Sequence, residues 1–110
     1  RAKQQGKKSL AVAMSYNSIG DIFTDQKSYE KALKNYELAD EILRDETYID
    51  HPTRGRTLLG MGEIYLKQGK TKDALNNLKK AHKILLNSHG KEHPDVISLK
   101  KTIEKIEVEV

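Results

Sequence analysis

Three short stretches of the sequence hold residue types that do chemistry, at spacings close to those the chemistry needs. Gly69-Lys70-Thr71 ends like a phosphate-binding loop, in which backbone amides and a lysine cradle phosphate oxygens. That loop also requires a glycine five residues before Gly69, where Ile64 stands, and a strand ahead of it. Gly60-Met61-Gly62 opens a dinucleotide fingerprint, but Tyr65 fills the third glycine's slot and the stretch reads as mid-helix. His89 and His93 are four apart, a spacing that puts two imidazoles on one helical face for a metal ion. Gly90 and Pro94 instead read as a turn, with no third ligand nearby. His82, beside Ala81, reads as a partly buried or surface imidazole. No Ser/His/Asp set or pair of carboxylates stands out, and Asp21, Asp25, Glu37, Asp40 and Glu41 read as solvated helix faces. No catalytic residue, metal or cofactor is expected, and the chain is not expected to be an enzyme.

Composition narrows the elements that position these residues. The 110 residues suffice for one compact domain, and with one phenylalanine and no tryptophan its core must be built largely from aliphatic and small side chains. The absence of cysteine excludes disulfides, cysteine-ligated zinc and thiol chemistry, and fits a reducing compartment. No apolar run approaches the roughly 18 to 20 residues that span a bilayer, and no stretch is of signal-peptide type. A soluble, cytoplasmic protein is expected, with no membrane partner. The net charge of +4 equals that of Arg1, Lys3, Lys7 and Lys8, so the rest of the chain is neutral. Within it, an acidic block from Asp21 to Asp50 is followed by a basic one from Arg54 to Lys101. Such blocks on helical surfaces are more often solvated than bound to phosphates, so nucleic acid is disfavoured as a partner.

The dominant signal is an internal repeat. Tyr16, Ile19, Gly20, Phe23, Ala32, Tyr36 and Ala39 recur as Leu58, Met61, Gly62, Tyr65, Ala74, Leu78 and Ala81, each pair 42 residues apart. Aligning Ser9–Pro52 with His51–Pro94 gives eleven identities in 44 pairs, well above the roughly two or three of chance. Val12, Tyr16, Ile19 and Phe23 fall at helical steps and predict a first helix over Leu10–Phe23. Tyr29, Leu33, Tyr36, Ala39 and Leu43 predict a second. Gln68-Gly69-Lys70 is the equivalent turn in the second unit, with Gly69 suited to a left-handed conformation. Short turns make antiparallel pairs. Gly20 with Ala32, and Gly62 with Ala74, supply the missing bulk that lets paired helices approach to about 8–10 Å.

The spacing Tyr16-x2-Ile19-Gly20-x2-Phe23, then Ala32-x3-Tyr36-x2-Ala39, resembles the tetratricopeptide repeat, over about Leu10 to Val96. Its period of 42 exceeds the usual 34. The linker Gly90-Lys91-Glu92-His93-Pro94-Asp95-Val96, with His51-Pro52 as a degraded copy, resembles that of the long repeats of kinesin light chains. The implied fold is an all-α, right-handed α-solenoid of antiparallel helix pairs, two repeats plus a C-terminal capping helix. The expected divisions are a basic N-terminal tail or end of a preceding segment (1–8), two repeats (9–50 and 51–92) and a cap (93–110). In the cap, Glu104 and Glu107 replace the residues that close a repeat. Val96, Leu99, Ile103, Ile106 and Val110 form one apolar stripe to cover the second pair.

The resemblance implies binding by shape, in a concave groove lined by the first helices of each pair. Its inward slots carry over to Met14, Asn17, Asp21, Thr24 and Asp25, to Arg56, Leu59, Glu63, Leu66 and Lys67, and to Lys101 and Lys105 from the cap. Asp21 and Glu63 stand where one subclass needs asparagines to hold a carboxylate, which argues against a chaperone-tail binder. The leading expectation is a protein-protein interaction module holding a protein or peptide partner, on a chain that is one module of something longer. The alternatives are an element permanently packed in a large cytoskeletal or ciliary assembly and, more weakly, nucleic-acid binding through the basic tail and second half.

Overall fold

The computed structural model describes residues 2–109, with side chains described from Leu10 onward. Arg1 and Val110 lie outside the described residues, as do the side chains of Lys3, Lys7 and Lys8. The described residues form five helices: α1 (Ala2–Asp25), α2 (Tyr29–Leu43), α3 (Pro52–Lys67), α4 (Thr71–His89) and α5 (Pro94–Glu109). α1 pairs with α2 and α3 with α4, while α2 packs on α3 and α4 on α5. The chain is thus all-α, two helix pairs closed by a fifth helix. α1 starts eight residues before Leu10, where its apolar periodicity begins.

Each junction buries what the repeat pattern offers it. Between α1 and α2 lie Ala13, Ala39, Leu43 and the loop residue Tyr48. Ala32 and Tyr36 meet Met61 and Ile64 where α2 packs on α3. The largest cluster joins Leu58, Leu78, Ala81, Ile84 and Leu85 to Val96, Leu99, Ile103 and Ile106. The cap buries Val96, Leu99, Ile103 and Ile106 of its stripe and leaves Glu104 and Glu107 to solvent, where Glu107 pairs with Lys79 at 2.6 Å.

Glycine allows the close crossings, though with a different neighbour from the alanine expected for Gly20. A Cβ on Gly20 would stand 2.7 Å from Cε1 of Tyr36, and one on Gly60 2.7 Å from Cζ of the same ring. The Tyr36 ring is therefore gripped from α1 on one side and α3 on the other. In the second pair, a Cβ on Gly62 would stand 2.7 Å from Leu78 and 3.4 Å from the Ala74 carbonyl.

Turns and caps repeat with the same period. Gly69 has φ +78° in the α3–α4 turn, and Lys27, in the same slot between α1 and α2, has φ +63°. Only glycine takes that conformation without steric cost, which for other L-residues is roughly 1–2 kcal/mol. Both His-Pro pairs start helices. Nδ1 of His51 accepts the Thr53 N–H at 3.0 Å and Nδ1 of His93 accepts the Asp95 N–H at 3.1 Å, with the proline in the first turn where no N–H is needed.

Gly60→Val is expected to lower the unfolding free energy by about 2–3 kcal/mol through overpacking on the Tyr36 ring. On a Tyr36→Ala background the same change should cost clearly less, as urea titration of the double-mutant cycle would show. Lys27→Gly should stabilise by about 0.5–1 kcal/mol despite its entropy cost, and the chemical denaturation midpoint reads this directly.

Candidate functional site

Where α1 and α3 run side by side they leave a cleft of about 240 Å³. Asp21, Thr24 and Asp25 line it from α1, Arg56, Leu59, Gly60 and Glu63 from α3, and Tyr36 reaches it from α2. Helical spacing accounts for the grouping: residues three and four apart share a face, so each first helix brings one short polar-apolar strip to the cleft.

The two ends of the cleft differ electrostatically. Asp21 is occupied on both oxygens: the Tyr36 hydroxyl donates to Oδ1 at 2.5 Å, and Nη2 of Arg56 donates to Oδ2 at 3.0 Å. The Asp21–Arg56 pair is exposed and contributes little stability, but it ties the two first helices together across the cleft. Burial, and then the hydrogen bond to Asp21, push the Tyr36 phenol up to about 12. Glu63 has no such partners. One period on, Leu78 stands in the slot of Tyr36 and Ser98 in that of Arg56, so neither phenol nor guanidinium is there to meet the carboxylate. Partial burial holds the Glu63 carboxyl above its ordinary range. Lys67 pulls it back and the Asp21 charge adds to the rise. Among the described residues Glu63 has no hydrogen bond and no ion pair.

Six of the twelve expected groove residues, Asp21, Thr24, Asp25, Arg56, Leu59 and Glu63, share this cleft. The Thr24 hydroxyl donates to the Gly20 carbonyl in its own helix, at 2.9 Å. Asn17 is placed elsewhere. It is buried between α1 and α3, where its Oδ1 accepts the Thr57 hydroxyl at 2.8 Å and its amide donates to the Thr53 carbonyl at 3.4 Å. Met14 is exposed on α1 outside the cleft, and Lys67 is exposed on α3. Leu66 lines a separate depression with Thr71, Ile106 and Glu109.

Lys101 and Lys105 also leave the set. They line a surface with Pro94, Ile97 and Ser98, whereas the α5 residues that face Leu59 and Glu63 are Asp95, Ser98, Leu99 and Thr102. Stacking explains the shift. Each first helix meets the next through staggered faces, Asn17 with Thr57 and Asp21 with Arg56, a separation of 35 to 40 residues rather than 42. Lys101 and Lys105 stand one period on from Leu59 and Glu63, so they hold the equivalent face of α5, which no further described helix meets. The same stagger applied to Glu63 points to Ser98, a signal present in the repeat. Tyr36 is legible as a core slot and Gly60 as mid-helix, but neither as a cleft residue.

The other sequence features resolve simply. His89 and His93 stack at 4.7 Å with the nitrogen of His93 already accepting a backbone amide. Among the described residues no group of three or more His, Asp or Glu side chains is placed to hold a metal ion. No described helix is long and apolar enough to cross a membrane. Among known families, the model described as the tetratricopeptide repeat matches residues 9–87. No curated protein matches the chain.

Because the Tyr36 phenol ionises near pH 10 when unfolded and about 12 when folded, the folded state binds the extra proton between those values. Its contribution is complete below pH 10 and is lost as pH rises through 12. Stability should therefore fall across pH 10–12, and less steeply in Tyr36→Phe, as urea midpoints at stepped pH would record.

Proposed function

We propose, on the premise that this chain belongs to the tetratricopeptide-repeat family, that it is a non-catalytic module which holds a protein segment in the α1–α3 cleft. Proteins of this family generally act as protein-interaction modules. The observation that carries the reading is Glu63, a carboxylate in the cleft wall with no partner, beside Leu59. A lysine or arginine on the ligand would pair with Glu63 and Asp25 and relieve the crowding of negative charge, while an apolar side chain packs on Leu59. Asp21 is already paired with Arg56 and hydrogen-bonded by Tyr36, and so shapes the cleft rather than standing without a partner.

Within this proposal, the units divide at 9–50 and 51–92, and the 42-residue period with the His-Pro linkers supports the long-repeat, kinesin-light-chain type. A cytoplasmic site of action, including association with the cytoskeleton, belongs to the same reading and rests on the lack of cysteine and on that resemblance.

Selection from a random peptide library should enrich segments with a basic residue near an apolar one. Glu63→Lys combined with Asp25→Lys should turn that preference toward acidic segments without altering the circular dichroism, because both positions are exposed. Enrichment of one and the same peptide set by both proteins would show that the cleft is not the recognition surface.

A further inference from the structure

The outer face of α1 repeats a pattern that is buried everywhere else in the molecule. Val12, Ser15, Ile19 and Ile22 correspond, one period on, to Arg54, Thr57, Met61 and Ile64 of α3. There Met61 and Ile64 pack on Ala32 and Tyr36 of α2. Two periods on they correspond to Val96, Leu99, Ile103 and Ile106 of α5, which pack against α4. On α1 the face is open: Val12 is 44%, Ile19 40% and Ile22 55% exposed, against 2%, 8% and 7% for Val96, Ile103 and Ile106. Residues in these slots are thus covered by a second helix at both junctions, save Thr57, which meets Asn17 of α1, and by no described element at α1.

The first slot specifies the kind of helix. At the α2–α3 junction Arg54 needs an acid, and Nε of Arg54 donates to Asp40 at 3.0 Å. At the α4–α5 junction the slot holds Val96, and His82 takes the place of Asp40. Val12 matches the second case. An acid opposite it would lose hydration without gaining a partner.

We propose that Val12, Ser15, Ile19 and Ile22 form a docking surface for the second helix of another tetratricopeptide hairpin, one whose packing side reads as α4 does, with no acid in the Asp40 slot. A second copy of this chain has no free helix of that kind, because α3 already covers α2 and α5 already covers α4. The surface continues the stacking seen at the two internal junctions, where each unit contacts only its neighbours.

The test joins residues 51–92 to Ser9 in place of residues 1–8, which keeps the period. The hybrid should melt in one transition, with a Tm at least about 5 °C above that of the unmodified chain. Ile19→Asp with Ile22→Asp should abolish the gain in the hybrid and move the unmodified chain by less than about 3 °C, since both positions are exposed there. Two separate transitions, or a gain that survives the double substitution, would overturn the assignment. Should the hybrid not fold, a peptide of residues 70–90 at millimolar concentration reads the same face by amide shifts along α1, and their absence overturns it equally. Light scattering of the unmodified chain should report a monomer. A concentration-dependent dimer broken by the double substitution would give the face to a second copy instead.

Discussion

The arrangement of the first three helices depends on the space around one aromatic ring. Tyr36 projects from α2 between two backbones that carry no side chain at the point of contact, Gly20 of α1 and Gly60 of α3. One side chain therefore fixes both the closure of the first pair and the approach of the second. Its hydroxyl emerges at the far side, where it holds Asp21, which in turn holds Arg56. Core packing and cleft geometry are thus two ends of the same residue. Protein interiors are packed too densely for the ring to shift without moving both helices.

What the sequence makes readable follows from how each property is encoded. Period, helix pairing and cap depend on side-chain size and on steps of three and four residues, and these survive in a single sequence. Gly62 beside Ala74 and the burial of Val96, Leu99, Ile103 and Ile106 on α5 are direct outcomes, while the closest approach to Gly62 is by Leu78. The site was half legible. The inward slots recur at the full period, but neighbouring first helices meet through a stagger of 35 to 40 residues, so residues of one slot line different clefts. Asn17 is drawn into the α1–α3 contact, and Lys101 and Lys105 lie on the α5 face one period beyond the cleft. Lys27 in a left-handed conformation carries no signal of its own type and is pointed to only by Gly69 one period on, because the turn's shape is set by the helices on either side.

The two junctions reach similar burial by different chemistry. The first uses a largely buried ion pair, Arg54 with Asp40, and Arg54 also donates to the Ile49 carbonyl. The second replaces both members, with Val96 and His82, and relies on apolar area. Removing water from a charge pair costs nearly as much as the pair returns, so the two solutions can coexist in one array. They differ in selectivity: an arginine left without its acid is penalised, whereas a valine accepts any apolar neighbour.

The hydrogen bonds of Asn17 with Thr57 and Thr53 also set a length scale. Apolar helix surfaces can slide past one another by a fraction of an ångström at little cost, but a donor and acceptor enclosed between them cannot, since the bond weakens steeply as it lengthens. The pitch from one first helix to the next is thereby locked. The distance between side chains on successive turns of the solenoid thus becomes a ruler with fixed marks.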